Sequence, residues 1–139
     1  MKIRSEREMI EYGKKLAEGL DLGQGFAVVI ELIGDVGTGK TTLTRGLAEG
    51  IGVEEPVTSP SFTISKAYAL PNGGRLVHYD FYRLSDPGIM AEDLEENLKE
   101  PRNIVVVEWG GSVADLLPEK RITVKVAYND DGTREVKNG

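Results

Sequence analysis

The run Gly34-Asp35-Val36-Gly37-Thr38-Gly39-Lys40-Thr41 fits the pattern G-x-x-x-x-G-K-[ST] without a mismatch, and it directly follows the apolar stretch of residues 26–33. That order commits the chain to a strand, a tight glycine-rich loop and a helix. The glycines let the backbone fold into a nest whose N–H groups converge on one anion. In such a loop Lys40 reaches the β/γ-phosphates of a nucleotide as a point charge, and the Thr41 hydroxyl is placed to ligate Mg²⁺. The helix expected from Thr42 onward adds its positive N-terminal end to the same anion. Residues Gly34 to Thr41 are therefore candidate nucleotide-binding residues.

The rest of the composition narrows the partners. At 139 residues, one domain with an ordinary core is expected across residues 1–139. Seventeen Lys plus Arg against twenty-three Asp plus Glu give a net charge of −6, which argues against a large basic surface and so against autonomous nucleic-acid binding. There are no cysteines, so disulfides, thiolate metal sites and cysteine nucleophiles are excluded. Neither a signal-like apolar region nor a spanning-length apolar stretch occurs, and a soluble cytoplasmic protein with no membrane association is the expectation.

Periodicity supplies the elements. Residues 5–20 read as an amphipathic helix, with Ser5 and Glu8 as a capping box and Met9, Tyr12, Leu16 and Leu20 on one stripe. After the loop, a helix ends near Gly50 and Gly52. Residues 63–70 and 75–79 read as antiparallel strands joined by the turn Pro71-Asn72-Gly73-Gly74. Residues 86–100 form an acidic helix with Met90, Leu94 and Leu98 as its apolar stripe. Ile104-Val105-Val106-Val107 has the continuous apolar character of a strand at the centre of a parallel sheet. Residues 122–128 give a last full strand, with a turn and short return strand after it. The fold class is α/β: a mixed, mostly parallel sheet flanked by helices with an antiparallel addition.

A phosphate loop needs a carboxylate at the end of a neighbouring strand to hold the Mg²⁺ shell or polarise water. Glu108 ends the wholly apolar strand and Asp80 ends a half-apolar one; burial favours Glu108 as the metal-proximal acid. Asp80 could instead start a turn. Trp109, the sole tryptophan, could stack on an adenine or fill core. His78, the lone histidine, reads as packed in the sheet rather than catalytic.

Together the P-loop with Thr42, Ser59-Pro60-Ser61-Phe62-Thr63, His78-Tyr79-Asp80-Phe81-Tyr82-Arg83-Leu84 and Glu108-Trp109 occur in the order of the TsaE (YjeE/YdiB) family, which the chain resembles from its first helix to Arg134. The resemblance implies a P-loop NTPase fold and an ATPase weak in isolation, supporting tRNA threonylcarbamoyladenosine modification with the TsaB and TsaD proteins and meeting tRNA only through them. It implies ATP and Mg²⁺ as cofactors, with Lys40 on the β/γ-phosphates, Thr41 and Glu108 as metal ligands, Thr42 on the α-phosphate side and Trp109 at the adenine. Lys40, Glu108 and Asp80 would be the catalytic residues. The 59–63 segment would be one switch, Asp80 with Arg83 a second, and Arg134 matches a nucleotide-contacting C-terminal region loosely. Ser61 stands where threonine is usual, which keeps a hydroxyl, and Tyr79 and Phe81 replace the commoner phenylalanine and leucine.

Other functions fit less of the chain. A nucleotide-dependent binding module, in which ATP loading rather than turnover matters, is the alternative. A small-molecule kinase would need an Arg-rich lid, yet Arg102 and Arg121 stand apart, and a GTPase would need an Asn-Lys-x-Asp segment that the chain lacks.

Overall fold

The computed structural model describes residues 1–35, 37–58, 65–82 and 88–138. The elements follow in the order β1 (Lys2–Ile3), α1 (Glu6–Glu18), β2 (Val28–Ile33), α2 (Lys40–Ile51), β3 (Ser65–Ala69), β4 (Arg75–Asp80), α3 (Ile89–Lys99), β5 (Ile104–Glu108), a 3₁₀ turn (Gly110–Leu116), β6 (Ile122–Tyr128) and β7 (Arg134–Asn138). One seven-stranded sheet has the order β1-β7-β6-β2-β5-β4-β3. Its four central strands, β6, β2, β5 and β4, pair in parallel. Antiparallel hairpins complete both sides, β3 with β4 and β6 with β7, and β1 adds to β7.

Strand alternation sorts the core onto two faces. Val28, Ile30 and Leu32 of β2 and Ile104 and Val106 of β5 pack with Met9, Leu16, Leu43 and Leu47 of α1 and α2. Val29, Val105, Val107, Val77 and Tyr79 turn the other way, against Leu94, Met90 and Leu98 of α3 and Val113 of the 3₁₀ turn. The continuous apolar runs of β2 and β5 are thus explained, since both their faces are covered. The chain has a helix–sheet–helix layering with the expected parallel centre.

Local signals account for the ends. The Ser5 hydroxyl accepts from the Glu8 backbone N–H at 3.1 Å and caps α1, but the Glu8 carboxylate accepts from the Arg4 N–H at 2.6 Å rather than completing the box at Ser5. Gly52 closes α2 in the left-handed conformation, at φ 92°. α1 and α2 cross so closely that a Cβ at Gly46 would lie 2.1 Å from the Ile10 carbonyl oxygen and one at Gly13 2.3 Å from that of Leu43.

Candidate functional site

The phosphate loop joins the C-terminal end of β2 to the N-terminus of α2. Gly34 has no room for a side chain, because a Cβ there would sit 2.4 Å from the Val126 carbonyl oxygen on β6. Gly37 and Gly39 adopt φ of 82° and 107°, which glycine alone reaches without strain. Between them the Thr38 N–H and hydroxyl both donate to the Asp35 carbonyl, at 3.3 and 2.8 Å. The far hairpin braces the loop. The Tyr128 hydroxyl donates to the Gly37 carbonyl, and Arg134 donates from Nε to Thr38 O at 3.3 Å and from Nη2 to Gly37 O at 3.5 Å. Its guanidinium lies 4.4 Å from the Tyr128 ring centroid.

Lys40, the first residue of α2, is only 5% exposed, and its Nζ is held three ways. It donates to the Gly34 carbonyl at 2.5 Å, lies 3.5 Å from Glu108 Oε1 and sits 4.6 Å from the Trp109 ring centroid. Glu108 ends β5, paired across the sheet with Leu32 of β2 and Asp80 of β4. It is 4% exposed, and its second oxygen accepts a 2.5 Å hydrogen bond from Nε2 of the fully buried His78. His78 and Asp80, two residues apart on β4, share the face that carries Glu108. Asp80 accepts from the Tyr82 backbone N–H at 2.9 Å. Burial pushes the Asp80 carboxyl above its ordinary value, and the neighbouring Glu108 charge adds to that, against the Tyr82 N–H, His78 and Lys40.

Trp109 follows Glu108 with φ 56° and ψ 48°, a left-handed conformation and the only positive φ at a non-glycine among the described residues. Such a conformation costs on the order of 1–3 kcal/mol at a non-glycine residue and is held by surrounding contacts. Here it turns the indole across the Lys40 ammonium and onto Tyr82, with ring centroids 4.8 Å apart. The loop separates two clefts. One, of about 270 Å³, is bounded by Met9, Gly37, Thr38, Gly39, Thr42 and Arg134. The other, of about 300 Å³, runs past Ile33, Gly34, Asp35, Trp109 and Gly110.

Of the residues expected from the sequence, Lys40, Glu108, Asp80 and Trp109 converge at the strand ends, and Gly37, Thr38, Gly39, Thr42 and Arg134 line one cleft. Thr41 is half-buried on the first turn of α2. Trp109 is apart from that cleft and beside the lysine. Val36, the 59–63 segment and Arg83 lie outside the described residues. Two contributors went unread: His78 bonds the acid as well as packing, a contact its shared face with Asp80 could have suggested, and Tyr128 carries no local signal at all.

The donors expected for the metal, the Thr41 hydroxyl and the Glu108 carboxylate, are hard oxygens, which suits Mg²⁺. Among the described residues no group of three or more His, Cys, Asp or Glu forms a cage for an ion.

Comparison with known proteins places this geometry. The family model described as Threonylcarbamoyl adenosine biosynthesis protein TsaE matches residues 3–136. The chain belongs to the TsaE family. It is 42% identical over 119 residues to the tRNA threonylcarbamoyladenosine biosynthesis protein TsaE of Streptomyces coelicolor, covering 85% of this chain and 78% of that one. To the Haemophilus influenzae TsaE it is 40% identical, covering 93% and 82%. The crystal structure of Bacillus subtilis YdiB matches with a TM-score of 0.75 and 31% identity, covering 98% of this chain and 80% of the other. Membership of TsaE places the chain in tRNA threonylcarbamoyladenosine biosynthesis, on a P-loop-type fold.

Proposed function

We propose that this TsaE-family chain binds Mg-ATP and hydrolyses it to ADP and phosphate, and that this supports tRNA threonylcarbamoyladenosine modification in the cytoplasm together with TsaB and TsaD. The observation that carries the reading is the 3.5 Å approach of Lys40 Nζ, at the start of the helix that follows β2, to Glu108 Oε1 at the end of β2's parallel neighbour β5. It sets a phosphate-binding cation and a carboxylate at one point of the strand ends, where ligands of open α/β sheets bind. Lys40 would hold the β/γ-phosphates; Thr41 and Glu108 would hold Mg²⁺, which when bound supplies charge neutralisation on the phosphates. Burial, with the neighbouring Glu108 charge adding to it, raises the proton affinity of Asp80, which would couple the nucleotide state to the partners. Thr42 and Arg134 line one cleft beside the loop, which would take the α-phosphate and nucleoside, and Trp109, with its ring at Lys40, would then lie at the terminal phosphates.

Multiple-turnover phosphate release with and without TsaB and TsaD tests the reading. Glu108→Gln should lower turnover far more than ATP binding, while Lys40→Ala should abolish tight Mg-ATP binding in a folded chain. Phosphate release that never exceeds one equivalent, with ATP loading alone sufficing for modification, would replace the hydrolase by a nucleotide-dependent binding module.

A further inference from the structure

We infer that His78 is the positioning residue for Glu108: its Nε2–H fixes one carboxylate oxygen, so that the other is the single oxygen presented to the nucleotide. The inference deepens the ATPase reading and rests on Glu108 being the acid of that site. Glu108 has two oxygens and two partners, Lys40 at Oε1 and His78 at Oε2. Lys40 is the partner that a bound triphosphate would claim, and His78, fully buried on β4, is the one that stays. A carboxylate this enclosed cannot turn to water for a replacement, and a buried charge without a donor is strongly disfavoured. His78 therefore keeps Oε2 occupied and the side chain in one rotamer after the lysine has left.

The tautomer follows from the other ring nitrogen. Nδ1 is buried and has no hydrogen-bond partner among the described residues. A proton on Nδ1 would be a buried donor without an acceptor, whereas a bare lone pair there costs less. The proton is accordingly on Nε2, where it donates to Glu108. Simple packing of the imidazole would require neither this tautomer nor the 2.5 Å contact.

Because the chain contains one histidine, ¹⁵N NMR of the imidazole reads the tautomer without assignment. The Nε2–H form is expected both in the free protein and with Mg-ATP; an Nδ1–H form in either state overturns the inference, whatever the variants do. The second arm compares His78→Gln, whose amide reaches the place of Nε2, with His78→Asn, whose amide stops near Nδ1. Turnover should fall about 10- to 100-fold for Asn, the range for losing a residue that orients a site ligand, and be largely kept for Gln, with ATP affinity changing much less than turnover. In a Glu108→Gln background His78→Asn should add nothing further. Equal losses for the two amides, wild-type turnover in His78→Asn, or a full additional loss in the Glu108→Gln background would overturn it. If Glu108→Gln alone leaves turnover intact, the acid itself is misassigned and the ATPase reading fails first.

Discussion

The lysine and the acid at this site are both almost out of water, and a buried ion pair holds only where its desolvation is repaid by geometry and added hydrogen bonds. Gly34, His78 and the Trp109 face supply those here. Trp109 follows from that arrangement: with its ring beside Lys40, Trp109→Ala should weaken ATP and inorganic triphosphate by similar amounts, about 1–2 kcal/mol as for a desolvated cation–π contact. A loss confined to ATP, read by calorimetry on both ligands, would return the indole to the adenine. Asp80 gives a pH prediction. Its folded pKa is raised, so the ionised form is disfavoured in the fold and the native state gains stability as pH falls through that raised value. Asp80→Asn keeps the acceptor for the Tyr82 N–H and removes the charge, so it should raise the Tm at neutral pH. The gain should vanish below about pH 4, the ordinary aspartate value, where both states are protonated; equal Tm values at neutral pH would count against it. The loop residues were legible because their roles are local: a positive φ or a lysine at a helix start follows from neighbours in sequence. The His78–Glu108 bond spans thirty positions and two strands; the i, i+2 spacing of His78 and Asp80 puts both on one face, but the pairing of β4 with β5 that brings Glu108 there is not local.

At the scale of elements, the crossing of α1 on α2 decides where the phosphate loop sits, since α2 begins at Lys40. Alanine is the better helix former by about 1 kcal/mol, yet Gly46→Ala would drive a methyl to 2.1 Å from the Ile10 backbone oxygen. Overpacking of that kind costs about 1–3 kcal/mol or more, so the net effect should be destabilising, visible as a lower urea midpoint. A variant as stable as the parent would mean that the helices separate freely. The strands β2 and β5 and the three helices could be read from their apolar runs and stripes. β1 is two residues long, too short for any period, and the 3₁₀ turn after Trp109 is held by burial of Val113 on the sheet and not by a pattern.

Across the whole molecule, the segment farthest in sequence from the loop reaches back to it. Arg134 on β7 grips the carbonyls of Gly37 and Thr38 from 97 and 96 positions away, an arrangement set by the sheet order and absent from any local motif. The return strand was readable from its turn, and the resemblance implied a nucleotide-side role for Arg134; its grip on the loop carbonyls was not readable. Arg134→Ala should weaken ATP and inorganic triphosphate alike, by about 1–3 kcal/mol, if the side chain acts through the loop, and ATP alone if its only role is contact with the base. Titrating both ligands separates these. The Lys40–Glu108 pair has one more consequence. Glu108 is a competitor for the lysine's charge that is tethered to the chain and impossible to wash away. On the proposed reading, an ATP affinity measured for this chain would be a difference between two partners of one ammonium, and would understate how firmly the triphosphate itself is grasped.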